Sequence, residues 1–201
     1  VGEYCKGLKS LKGVKNEIRS IKKGYSREKE QNAFIKEDKE VTLKALLNTF
    51  KSASYIHIAS HGVITNFLET SGIYYTKGKS NMLLSLLDIR KKFSKNPHIS
   101  LLTLACCYSG KLEMKKNEEI LGFTPIFFTL GVQSIIANTI TLHDDTSYII
   151  FEDFYERLNE HNKKDENNKN SLFMETLRKM KSKNEYKHPY VWAFLEFYGL
   201  P

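Results

Sequence analysis

LLTLACCYSG, Leu101 to Gly110, is the stretch whose reading decides the fold. Its first half is an apolar run with no charge and no turn residue, the pattern of a strand buried on both faces. It then breaks into Cys107-Tyr108-Ser109-Gly110, small and polar. A buried strand that ends at a sharp turn fits a parallel sheet, and open α/β sheets bind ligands at the carboxyl edge of their strands. Cys106 and Cys107 are adjacent, so within a strand their side chains point to opposite faces. Cys107, nearer the turn, is expected to look outward and Cys106 to fill the core. On this segment alone, two ordinary buried cysteines remain an open alternative.

Working outward, YIHIAS (Tyr55 to Ser60) is a second buried strand, and it runs into His61-Gly62. SIIAN (Ser134 to Asn138) reads as a third core strand, and Gly72 to Tyr75 as an antiparallel or edge strand. Asn32 to Lys36 reads as a short strand, and YVWAFLEFYG (Tyr190 to Gly199) is a β-rich run fenced by Pro189 and Pro201. Between them lie helical patterns. Leu11, Val14, Ile18 and Ile21 form one, with Gly24 as its C-terminal cap. Asp38 is expected to cap a second, through Val41, Leu43, Leu46, Leu47 and Phe50. Ser80 is expected to cap a third, with Leu83, Leu86, Leu87 and Ile89, stopped at Asn96-Pro97. Ile120 to Leu130 reads as a buried helix, bent or restarted at Pro125 and ended by Gly131. Asp145 to Leu158 and Ser171 to Met180 are the last two, separated by the polar tract His161 to Asn170. Strands alternating with helices predict an α/β fold, a three-layer α/β/α sandwich around a mainly parallel sheet. No linker or repeat divides residues 1–201, which read as one domain.

The chain has 201 residues, 41% of them hydrophobic, enough for a sizeable core. No apolar run approaches the roughly 20 residues that span a bilayer. VGEYCKGLKS at the start has neither a signal peptide's apolar segment nor a Met, so the chain is expected to be part of a longer polypeptide. Three cysteines, two of them neighbours, build no disulfide framework and suggest a reducing, cytoplasmic compartment. The net charge of +8 invites a nucleic-acid reading. The positive charge is almost all lysine interleaved with Glu, as on a solvated surface, whereas base-edge and bidentate phosphate recognition favour arginine. Direct nucleic-acid binding is therefore not expected.

Two core strands thus end in reactive side chains, His61 and Cys107. If the strands are parallel neighbours, imidazole and thiol share one edge, the pairing a cysteine protease needs. A thiolate is the nucleophile, and a nearby imidazole takes its proton and later protonates the leaving amine. Gly62, lacking a side chain, lets its N–H approach a developing oxyanion alongside the N–H of Cys107. The spacing agrees with the caspase pattern of a histidine roughly 50 residues before an A-C-x-G cysteine. HxxxH, His57 to His61, lacks the glutamate after the first histidine and the helix that a zinc protease requires. His57 reads as a structural histidine, and no metal or cofactor is called for.

Four segments carry a family resemblance: HIASHG (His57 to Gly62), LACCYSG (Leu104 to Gly110), VQSIIANTITLHDD (Val132 to Asp145) and HPYVWAFLEFYG (His188 to Gly199). Together they resemble the CHAT domain, a caspase-like domain found attached to tetratricopeptide repeats and related to separase in the caspase–hemoglobinase clan. LKGVKNEIRSI (Leu11 to Ile21) is similar as well, so the resemblance covers almost the whole chain. The family's pattern is a small residue, Cys, any residue, Ser or Thr, then Gly. Only Cys107 fits it, and the family's histidine corresponds to His61. The small position is occupied by Cys106, and Ile140-Thr141 stands where Trp-Pro is usual.

The resemblance implies a cysteine endopeptidase acting on a protein partner. It further implies an effector switched on by a sensor domain or partner, tetratricopeptide-repeat or nucleotide-sensing, often in prokaryotic defence. Asp144 and Asp145, after a core strand, read equally as helix caps or as acidic groups that bind a Lys or Arg preceding the cut. Similarity to separase favours Asp144 for the second role. Lys111, Lys115 or Lys116 would then be a self-cleavage point in the loop after the nucleophile. The rival from another class is a non-catalytic interaction module that binds a protein or nucleic acid through its lysine surface.

Overall fold

The structure is a computed structural model, which describes residues 12–25, 40–77, 80–114, 120–140, 144–162 and 168–200. The strand expected at Asn32 to Lys36, the Asp38 cap, Thr141 and the lysines Lys115 and Lys116 lie outside the described residues. The fold is mixed α/β with a mainly parallel central sheet. The chain divides into two compact units, one built mainly from residues 36–142 with 195–199, the other from 10–35 and 143–194.

The first unit holds a four-stranded sheet, β1 (Tyr55–Ala59), β5 (Leu101–Ala105), β8 (Ser134–Asn138) and β9 (Leu195–Gly199), in that spatial order. β1, β5 and β8 are parallel and β9 runs antiparallel to β8. All five residues of β5 and of β8 are buried, which explains why neither strand carries a charge. Leu102, Leu104 and Cys106 alternate onto one face and meet Ile135 and Ala137. On that face they pack with Phe50 of α2 (Leu43–Ser52), Leu86 and Ile89 of α3 (Leu86–Lys92), and Phe123, Ile126 and Phe127 of α4 (Phe123–Thr129). Phe50 stacks on Phe127 at 5.4 Å and meets Phe93 edge-on at 4.8 Å.

A small antiparallel sheet, β2 (Gly62–Val63), β3 (Gly72–Lys77) and β4 (Ser80–Ser85), follows β1. Here the structure corrects the sequence reading. Ser80 opens a strand, paired with Lys77 of β3, and Ser85 caps the helix by accepting the Asp88 N–H at 3.1 Å. The second helix is capped by Thr42, whose hydroxyl accepts the Ala45 N–H at 3.2 Å. Ile120 and Leu121 form β7, paired with β6 (Glu113–Met114), so α4 starts only at Phe123. Pro125 therefore sits in the first turn, where no intrahelical donor is needed, and neither bends nor restarts the helix. Gly131 follows α4 with φ at 92°, the left-handed conformation glycine favours. Before β9, Pro189–Val191 form a 3-10 turn, leaving only the last half of the closing run as strand.

The second unit contains α1 (Lys12–Tyr25), α5 (Asp144–Asn162) and α6 (Lys169–Ser182), with α1 and α6 each packed against α5. α1 continues through Gly24, so that glycine is no cap. Phe154 and Phe173 join α5 to α6 edge-to-face at 5.9 Å. Beside them the buried Asp153 carboxylate accepts from Arg157 Nε at 2.7 Å, from Thr176 Oγ1 at 2.9 Å and from Lys179 Nζ. Burial alone would push this carboxyl up. The hydrogen bonds from Lys179, Arg157 and Thr176 outweigh it and hold the group below the usual range.

Its folded pKa being depressed, its contribution is present above the unfolded value of about 4 and is lost as the pH falls through the folded one. Asp153→Asn is expected to cost about 1–3 kcal/mol at pH 7, because both cations are partly exposed. The deficit relative to wild type should shrink as the pH is taken below 4. Urea denaturation of both chains across that range measures this, and a deficit that stays constant would contradict it.

Candidate active site

Two stretches meet at the carboxyl edge of the central sheet. β1 and β5 pair from Tyr55↔Leu101 to Ala59↔Ala105, and the Ser60 N–H continues the contact by donating to the Ala105 carbonyl at 3.3 Å. The ladder ends there, and His61 and Cys107 each follow two residues after the end of its strand. The backbones remain in touch there. A Cβ placed on Gly62 would lie 2.8 Å from the Cys107 carbonyl oxygen and 3.0 Å from Cys106 Cβ. The absence of a side chain at Gly62 is what allows this approach.

Cys106 is fully buried in the core, its Sγ directed at the Ile58 carbonyl at 3.6 Å, whereas Cys107 is half-buried. The turn carrying Cys107 is tied down from several sides. The Ser109 hydroxyl, fully buried, donates to the Leu104 carbonyl at 2.8 Å and accepts the Asn138 N–H at 3.0 Å. The Gly110 N–H donates to the Asn138 carbonyl at 2.7 Å and the Tyr108 N–H to that of Ile140 at 3.3 Å. Tyr108 itself has φ at 59°, unusual for a residue with a side chain and frequent where a turn must aim its neighbour. The Tyr198 hydroxyl donates its proton to the Glu196 carboxylate, with the Gly110 carbonyl 3.3 Å away. Burial and that carboxylate push the phenol well above its ordinary range, keeping it protonated as a donor.

The backbone amides at this edge are unequal. Tyr108, Ser109 and Gly110 all donate to carbonyls, while the Cys107 N–H finds no acceptor among the described residues. Gly62 pairs with Ile73, and the Tyr74 N–H donates to the His61 carbonyl at 3.0 Å. Gly62 and Ile73 are therefore the non-hydrogen-bonded pair of that ladder, and the Gly62 N–H points away from β3. The edge thus presents an imidazole residue, a thiol and two amides outside the sheet ladders. That set can chemically support acyl transfer.

Asp144 and Asp145 occupy the first turn of α5, in the second unit. His57 lies in β1 opposite Thr103. Among the described residues no three His, Cys, Asp or Glu converge in a metal-binding cluster, and no helix is long and apolar enough to cross a membrane. Asn138 was legible only as the end of a strand; its contacts with the turn could be suspected only from a polar residue closing the buried run SIIAN.

A mainly parallel central sheet flanked by helices is compatible with a caspase-like α/β fold. The chain belongs to the CHAT-domain family, whose model matches residues 6–199. A search of curated proteins finds no match.

Proposed function

We propose that this chain is a cysteine endopeptidase that cleaves a protein partner with a His61–Cys107 dyad and no cofactor. In this reading His61 takes the Cys107 thiol proton as Sγ bonds to the scissile carbonyl carbon. The carbonyl electron pair moves onto oxygen, where the N–H groups of Gly62 and Cys107 receive it. Collapse breaks the C–N bond, and His61 gives its proton to the departing amine. Water then attacks the thioester, surrendering a proton to His61, and the released sulfur recovers that proton.

The observation that carries this reading is the contact of Gly62 with the Cys107 peptide, at an edge where the Cys107 N–H has no acceptor among the described residues. Membership of a caspase-like, protease-related family supports it. The activity belongs to a cytoplasmic effector in prokaryotic defence or signalling, released by an attached tetratricopeptide-repeat or nucleotide-sensing partner. The test is to incubate a cell extract with wild type or with Cys107→Ala and sequence the newly formed protein N-termini. New termini are expected with wild type alone. A chain that only binds its partner, protein or nucleic acid, gives none with either.

A further inference from the structure

Asn138 closes β8 and is fully buried. Its Nδ2 donates to the Cys106 carbonyl at 2.8 Å, and that carbonyl also accepts the Ser109 N–H at 3.2 Å. The Cys106 carbonyl and the Cys107 N–H belong to one planar peptide group. Holding the oxygen therefore fixes the direction of the N–H. Which end of the Asn138 amide faces Cys106 follows from chemistry, since a carbonyl only accepts. Its other end, Oδ1, is left buried without a hydrogen-bond partner among the described residues. An unsatisfied buried acceptor is destabilising, and an apolar residue of similar shape would avoid it. The backbone N–H and carbonyl of residue 138, which bond Ser109 and Gly110, are available whatever its side chain. What the asparagine side chain adds is its hold on the Cys106–Cys107 peptide.

We infer that Asn138 is a positioning residue, which orients and polarises this peptide so that the Cys107 N–H meets the oxyanion formed when Cys107 attacks a carbonyl. The inference rests on the endopeptidase reading above.

Two probes separate its consequences. Iodoacetamide alkylates sulfur by displacing iodide, and no carbonyl oxygen gains charge. A peptide aldehyde adds Cys107 Sγ to its carbonyl carbon, and the tetrahedral oxygen needs the amide donors. In Asn138→Leu, alkylation of Cys107 should stay within about twofold of wild type. Affinity for the aldehyde that wild type binds best, from a set varied at the terminal residue, should fall about 10- to 100-fold, with a similar loss in kcat and little change in KM. The melting temperature should equal or exceed that of wild type. If the leucine chain fails to fold, the smaller Asn138→Ala should show the same split.

Unchanged aldehyde affinity and kcat in a folded variant would overturn the role of Asn138 while leaving the endopeptidase reading intact. Equal loss toward both probes would also overturn it, marking a merely structural residue. A wild-type chain that neither alkylates at Cys107 nor binds any aldehyde of the set overturns the endopeptidase reading, and this inference with it.

Discussion

Cys107→Ala is expected to lower protein cleavage by at least about 1000-fold, the scale set by deleting the nucleophile of a covalent hydrolase. The fold should survive, because none of the hydrogen bonds that shape the turn uses the Cys107 side chain. Truncating this half-buried thiol should cost no more than about 1 kcal/mol. Its neighbour provides the internal control. Cys106 is fully buried among Leu102, Leu104 and Ile135, so Cys106→Ala should cost about 1–2 kcal/mol by opening a small cavity, yet retain cleavage. Two adjacent cysteines thus separate, one carrying stability and the other chemistry. Rates with both variants, beside their urea denaturation curves, check this. Full cleavage by Cys107→Ala would remove the proposed mechanism.

Gly62→Ala should have the next largest effect. The added Cβ would meet the Cys107 carbonyl oxygen at 2.8 Å and Cys106 Cβ at 3.0 Å. These atoms are backbone and the root of a packed side chain, so neither can swing aside. The ends of β1 and β5 must part by several tenths of an ångström, moving His61 and the Gly62 amide relative to Cys107. Misplacement on the order of 1 Å costs about 100-fold, and a loss of roughly 30- to 100-fold in kcat/KM is expected. The strain should cost about 1–3 kcal/mol of stability. Asp153→Asn is destabilised to a similar degree in the other unit and should keep its activity, which separates lost geometry from lost folding. Wild-type kcat/KM in Gly62→Ala would show that the contact has no part in the reaction.

Much of this architecture was legible because burial writes itself into composition. β5 and β8 are buried throughout, and LLTLA and SIIAN contain no charge to contradict it. The errors fall where short antiparallel strands carry apolar residues at spacings that also suit a helix. Leu83, Leu86, Leu87 and Ile89 fit a helical spacing, but Ser80 to Ser85 pair with β3, the strand that ends only two residues before them. Ile120 and Leu121 were absorbed into a helix for the same reason, their mates being Met114 and Glu113. The Thr42 cap was passed over because Val41 was taken as already helical.

At the site, His61 and Cys107 stood out as reactive residues at the ends of apolar runs. Their shared edge follows from the parallel register of β1 and β5, which one sequence does not encode visibly. Asn138 and the bridging hydroxyl of Ser109 emerged only in three dimensions, since each acts through backbone groups of a segment about 30 residues away.

The most direct measurement is to react the chain at neutral pH with a peptide acyloxymethyl ketone and locate the adduct by tandem mass spectrometry, for wild type and for His61→Ala. The account predicts an adduct on Cys107, formed at least about 100-fold more slowly without the imidazole. An adduct on Cys106, or one on Cys107 whose rate is indifferent to His61, would contradict it.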